Sequence, residues 1–116
     1  MNHKKGYRKL NKPTDQRMAL LKNLTRAIFE SHKMKTTLTR AKEVSRIIDK
    51  IINLSKKGTI HARREIFKFL PDRDLIKKIF SMSGKFKDKN SGYSRITVLG
   101  RRRGDSSKIA LVELIL

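Results

Sequence analysis

The chain has 116 residues, with 30 Lys and Arg against 10 Asp and Glu, a formal net charge of +20. At 37% hydrophobic and 34% charged it can fill one modest core, with no surplus for a second domain or a large enzyme cleft. It contains no Cys, which excludes a disulfide framework, a thiolate zinc site and a thiol nucleophile.

Residues 1–12 (MNHKKGYRKLNK) carry five basic side chains and no acid. They lead into no apolar stretch with a cleavage site, so they read as the start of a mature cytoplasmic protein and not as a signal peptide. Too poor in apolar surface to order themselves, they are expected to form a basic N-terminal extension that folds on its partner. A single globular domain is expected over 13–116.

Pro13 and Thr14 mark a helix start, with Asp15 placed favourably at the positive end. Leu20, Leu21, Leu24, Ala27 and Ile28 recur at helical spacing and predict a helix over about 15–32. Lys22, Arg26, Glu30 and Lys33 fall on another face, a largely basic stripe whose Lys22 and Arg26 are candidate binding residues. Residues 33–38 alternate briefly and include two threonines, which predicts a short strand.

Thr37 or Thr39 is expected to open a second helix through Ala41, Val44, Ile47, Ile48, Ile51, Ile52 and Leu54, stopped by Gly58. A third helix starts at Thr59 and is closed by Pro71, and a fourth starts at Asp72 or Asp74. Residues 83–92 read as a polar surface loop. Two strands, 93–99 and 108–116, are expected to pair as a hairpin across 100–107, the second being the more buried. The order α-β-α-α-α-β-β predicts a two-layer α+β domain, a small mixed sheet of about three strands packed on helices.

Twenty unbalanced charges repel one another on so small a body unless a polyanion neutralises them. The excess is spread along the chain: +7 over 1–33, +5 over 34–57, +5 over 58–92 and +3 over 93–116. A membrane-lying helix would gather its charge beside a broad apolar stripe with Trp or Phe, and there is no Trp. The pattern favours nucleic acid. His3, His32 and His61 share no helix face with a carboxylate at metal-ligand spacing, and no Ser-His-Asp set or phosphate-cradling glycine pattern occurs. No metal, cofactor or catalytic residue is therefore expected. Glu43, Asp49, Glu65 and Asp72 read as surface ion-pairing or capping residues.

The basic clusters carry the functional signal. His3, Lys4, Lys5, Tyr7, Arg8, Lys9 and Lys12 place an aromatic ring among cations in the extension, suited to phosphates and a stacked base. Arg63 and Arg64 form a second cluster, and Arg101, Arg102 and Arg103 a third at the hairpin tip. The tip has no apolar wedge, which disfavours a DNA-bending protein, and the missing carboxylate or His cluster disfavours an RNA-processing enzyme. Folded RNA, bound through shape and phosphates, fits best.

Several motifs then fall in a familiar order. Met1-Asn2-His3-Lys4 is followed by Arg8-Lys9-Leu10-Asn11 and by Arg17-Met18-Ala19-Leu20-Leu21-Lys22-Asn23-Leu24. Lys35-Thr36-Thr37-Leu38 runs into Ala41-Lys42-Glu43, and His61-Ala62-Arg63-Arg64, Gly92-Tyr93-Ser94-Arg95-Ile96 and Arg103-Gly104-Asp105 follow. Over essentially its whole length the chain resembles the family of bacterial large-subunit ribosomal proteins numbered seventeen. Asn2, Met34, Ser91 and Ser106-Ser107 depart from that family's usual residues. The resemblance implies a structural constituent of the large ribosomal subunit with no catalysis of its own. It implies binding to large-subunit ribosomal RNA near the nascent-peptide exit, among neighbouring ribosomal proteins. It adds Arg17, Lys35, Thr36, Thr37, Tyr93 and Arg95 to the candidate RNA-binding residues.

Overall fold

The structure, a computed structural model, describes residues 14–86 and 92–115. Helix α1 (Thr14–Ser31) is followed by strand β1 (Lys33–Thr37), then by helices α2 (Leu38–Lys57), α3 (Ile60–Phe69) and α4 (Arg73–Met82). A single 3-10 turn (Ser83–Phe86) precedes strands β2 (Ser94–Arg101) and β3 (Lys108–Leu114). The α+β order read from the sequence holds. Both strand pairings are antiparallel, however, so the sheet is not mixed. Its order is β1-β3-β2, which makes the apolar β3 the central strand.

Local chemistry sets most boundaries. Thr59 Oγ1 accepts the Ala62 amide at 3.1 Å, and Asp72 Oδ1 accepts the amides of Asp74 and Leu75 at 3.1 and 3.2 Å. Thr37 occupies the cap position of α2 without a side-chain bond. Gly58 ends α2 in the left-handed region (φ 66°), where a side chain would be strained. Helix α1 ends on His32 in the same region (φ 69°), its amide bonded to Ile28 O at 2.7 Å.

The buried stripe of α1 is Leu21, Thr25, Ile28 and Phe29. The expected stripe thus rotates toward Phe29, and Thr25 is tolerated because its hydroxyl donates to Leu21 O at 2.7 Å. Helix α2 is the centre of the helical layer, burying Ala41, Val44, Ile48, Ile51 and Ile52 against Ala110, Val112 and Leu114 of β3 and their neighbours. Each fully buried Ile contributes about 2 kcal/mol relative to exposure.

Two expectations fail in this layer. Glu43, read as a surface residue, is buried, with a carboxylate oxygen 3.5 Å from Arg46. Residues 83–86 are not free loop, because Phe86 is buried edge-on to Tyr93 with ring centroids 5.2 Å apart. Residues 87–91 lie outside the described residues.

Candidate nucleic-acid interface

Helix α3 turns Ala62 and Ile66 toward the core, which leaves Arg63, Arg64, Phe67 and Lys68 on its outer side. The short connection through Pro71 brings α4 back against it, so Arg73 and Lys77 of α4 meet that outer side across Ile76. A groove of about 500 Å³ results. Among the described residues five cations line it and no acid does. The Arg63 guanidinium lies 4.5 Å from the Phe80 ring centroid, a cation–π contact that pins it between the two helices. Lys68 pairs with Glu65 at 3.2 Å. Among the described residues Arg64, Arg73 and Lys77 have no carboxylate within ion-pair distance. Phe67 is 41% exposed at the same groove.

A second basic surface lies on the sheet face turned away from the helices. Strand β3 sends Ala110, Val112 and Leu114 inward, so Ile109, Leu111 and Glu113 face outward. Their register partners share that outer face: Lys33 and Arg95 flank Glu113, Lys35 and Thr97 flank Leu111, and Thr37 and Gly100 flank Ile109. Thr36, opposite Ala110, is on the inner face. A register shift between Val98 and Gly100 places Leu99 in a bulge, with Gly100 at φ 146°.

Beyond the bulge the hairpin ends in the arginine triplet. Arg101 donates to Ser106 O at 3.1 Å. Arg102 holds Asp105 through two hydrogen bonds, at 3.2 and 2.7 Å. The Arg102 bonds, then the Ser107 amide at 3.1 Å, hold the Asp105 carboxyl well below the usual carboxylate range, and the same pairing raises Arg102. Arg103 is exposed and has no carboxylate partner among the described residues.

Not every candidate reaches a surface. Tyr93 is fully buried: its hydroxyl donates to Asn53 Oδ1 and accepts from Lys56 Nζ, and its amide donates to Asp49 at 3.3 Å. It fastens β2 to α2 and presents no surface of its own. Arg17 lines a separate cavity of about 330 Å³ between α1, α2 and α3, beside Glu43 and Glu65. Lys22 lies 5.7 Å above the Phe69 ring, and Arg26, one turn further along α1, is half-buried. The extension residues, from His3 to Lys12, lie outside the described residues.

Sequence reasoning missed Phe67, Lys68, Arg73 and Lys77. The available signal was i, i+4 spacing, Arg63–Phe67 and Arg64–Lys68 on α3 and Arg73–Lys77 on α4, two consecutive short helices whose proline turn faces these pairs across one groove. Among the described residues no group of three or more His, Asp or Glu could hold a metal ion, and no helix is long and apolar enough to cross a membrane.

A single core beneath a cationic α3–α4 groove and a sheet face whose cations surround Glu113 makes this a small, strongly basic α+β protein. The family model described as "Ribosomal protein L17" matches residues 20–115. The chain is 49% identical to the "Large ribosomal subunit protein bL17" of Dictyoglomus thermophilum over 116 residues, covering 99% of this chain and 100% of that relative. It is 47% identical to the protein of the same name in Dictyoglomus turgidum, with the same coverage, and 44% identical to that of Clostridium acetobutylicum over 95% of this chain and 97% of the relative. The chain belongs to the ribosomal protein L17 family, structural and non-enzymatic components of the ribosome.

Proposed function

We propose that the protein binds large-subunit ribosomal RNA and stabilises its fold near the nascent-peptide exit, in contact with neighbouring ribosomal proteins of the cytoplasmic large subunit. The observation that carries RNA binding is the unequal use of charge. Five carboxylates, Asp72, Asp49, Glu43, Glu65 and Asp105, cap a helix, hold β2 or pair locally, while Arg64, Arg73, Lys77 and Arg103 have no acidic partner among the described residues. Cations in that state offer direct contacts to phosphates, which position a protein on RNA without reading sequence. The exit-region placement rests on the family resemblance, and the large-subunit assignment on the names of the relatives.

The mechanism is neutralisation and cross-linking of RNA segments. The basic extension enters between RNA helices, and the folded body clamps the surface with the α3–α4 groove and the β2–β3 hairpin. Each neutralised phosphate adds roughly 0.7 to 0.9 to the magnitude of the salt slope. Replacing Arg101, Arg102 and Arg103 together with Ala is expected to flatten the slope by about two, since Arg102 is already compensated by Asp105.

Sedimentation of a lysate through sucrose gradients, with and without RNase, tests the assignment. Co-migration with the large subunit that survives moderately high salt and collapses with RNase supports it. Migration with chromosomal DNA, or at the top of both gradients, overturns it. Cross-linking within isolated subunits to RNA or proteins remote from the exit would overturn the placement alone.

A further inference from the structure

We infer that the groove between α3 and α4 captures an unpaired RNA nucleotide, its base stacked on Phe67 and its flanking phosphates held by Arg64, Arg73 and Lys77. The inference rests on the RNA-binding reading above and names the feature of RNA that one surface takes.

The groove differs from the other basic surface in its floor. On the outer sheet face, register places Lys33 and Arg95 around Glu113, and that row carries its own acid. In the groove, an exposed aromatic ring and the apolar Ile76 lie beneath a wall of cations, with no acid among the described residues. A single exposed apolar residue needs no explanation. An aromatic ring at the base of a cationic cleft has a specific use, because every nucleobase offers a π-face and every nucleotide a phosphate.

Duplex RNA could satisfy the cations but not the ring, since bases within a helix are already stacked on their neighbours. An unpaired or bulged nucleotide can be splayed out, and then supplies both partners at once. The groove is also partly set in advance. The Arg63–Phe80 contact ties α3 to α4, and the Asp72 cap fixes the first turn of α4, from which Arg73 projects. An acidic peptide would complement the charges equally well. The cations on the remaining surfaces of the same small chain favour RNA.

The test compares two RNA hairpins of one length, one fully paired and one carrying a single bulged 2-aminopurine, bound to the full chain at fixed salt. The bulged hairpin is expected to bind about tenfold more tightly, with quenching of the 2-aminopurine by stacking. Phe67→Leu should abolish both the preference and the quenching, so that the variant binds the two hairpins with equal affinity. Phe67→Trp should retain them, with thermal midpoints checking that each variant is folded. Equal affinity for the two hairpins, or a preference that survives Phe67→Leu, overturns the inference. Salt-dependent binding to both hairpins without preference overturns it and leaves the RNA-binding reading standing, whereas no salt-dependent binding to either overturns both. Displacement of the bulged hairpin by an acidic peptide at matched ionic strength overturns it in favour of a protein occupant.

Discussion

Helix α3 has a different chemistry on each flank. The cavity it shares with α1 and α2 sets Arg17, Arg46 and Lys50 beside Glu43 and Glu65. The groove it shares with α4 holds Arg63, Arg64, Lys68, Arg73 and Lys77, with no acid among the described residues. Among the described residues the one buried acid, Glu43, is met by the half-exposed Arg46, while no acid lines the open groove. Removing a partner from a buried pair is costly, while exposed cations are solvated cheaply. Surplus charge therefore collects where a partner can reach it.

Two phenylalanines on α3 offer the sharpest way to break that comparison. Phe69 lines the balanced cavity and packs against the core, and Phe67 lines the cationic groove. Phe69→Ala is expected to lose about 2 kcal/mol of stability in denaturant unfolding, the half-buried version of a core truncation. Phe67→Ala should lose less than about 0.5 kcal/mol, as other exposed positions do. Equal losses would mean that the groove is part of the core.

Charge gives the next largest effect. Replacing Arg64, Arg73 and Lys77 together with Gln should lower the magnitude of the RNA salt slope by about two. The thermal midpoint should not fall, because like charges are being removed from one another's vicinity. An unchanged slope would show that phosphates do not use this flank.

A smaller effect separates Tyr93 from the binding residues. Tyr93→Phe keeps the edge contact with Phe86 but removes the hydroxyl that Asn53 and Lys56 engage. The expected loss is about 1 kcal/mol of stability, with RNA affinity unchanged in a titration at fixed salt. Weakened RNA binding at full stability would return Tyr93 to the interface.

These residues also show how far the sequence could be read. Caps at Thr59 and Asp72, the stop at Gly58 and the hairpin follow from local chemistry, and local chemistry is what a sequence displays. Tyr93 was a candidate RNA contact through the family resemblance alone. It is buried because Phe86, seven residues earlier, and α2, some forty residues earlier, close over it. The direction of β1 against β3 is likewise decided by three intervening helices and not by either strand. The α3–α4 groove was half legible: Arg63 and Arg64 announced themselves as a pair, but Arg73 and Lys77 became their neighbours only through the turn at Pro71.

The hairpin tip repeats the comparison over three residues. Arg102 is held by Asp105, and Arg103 next to it has no acidic partner among the described residues. Because Asp105 is held below the ordinary carboxylate value of about 3.9, its contribution to tip order is present at every pH above that value. It is lost only as pH falls through the depressed value of the folded state. The Ser107 amide, which donates to Asp105, should therefore keep its NMR shift at pH 4 and move only in stronger acid. A midpoint near 3.9 would mean that the Arg102 pairing does not persist in solution. Asp105→Asn carries the argument into function: by releasing Arg102 to phosphate, it should steepen the RNA salt slope by about 0.7, the smallest of these effects. A slope that stays the same would mean that phosphate already displaces Asp105 in the complex, and that the tip presents all three arginines to RNA.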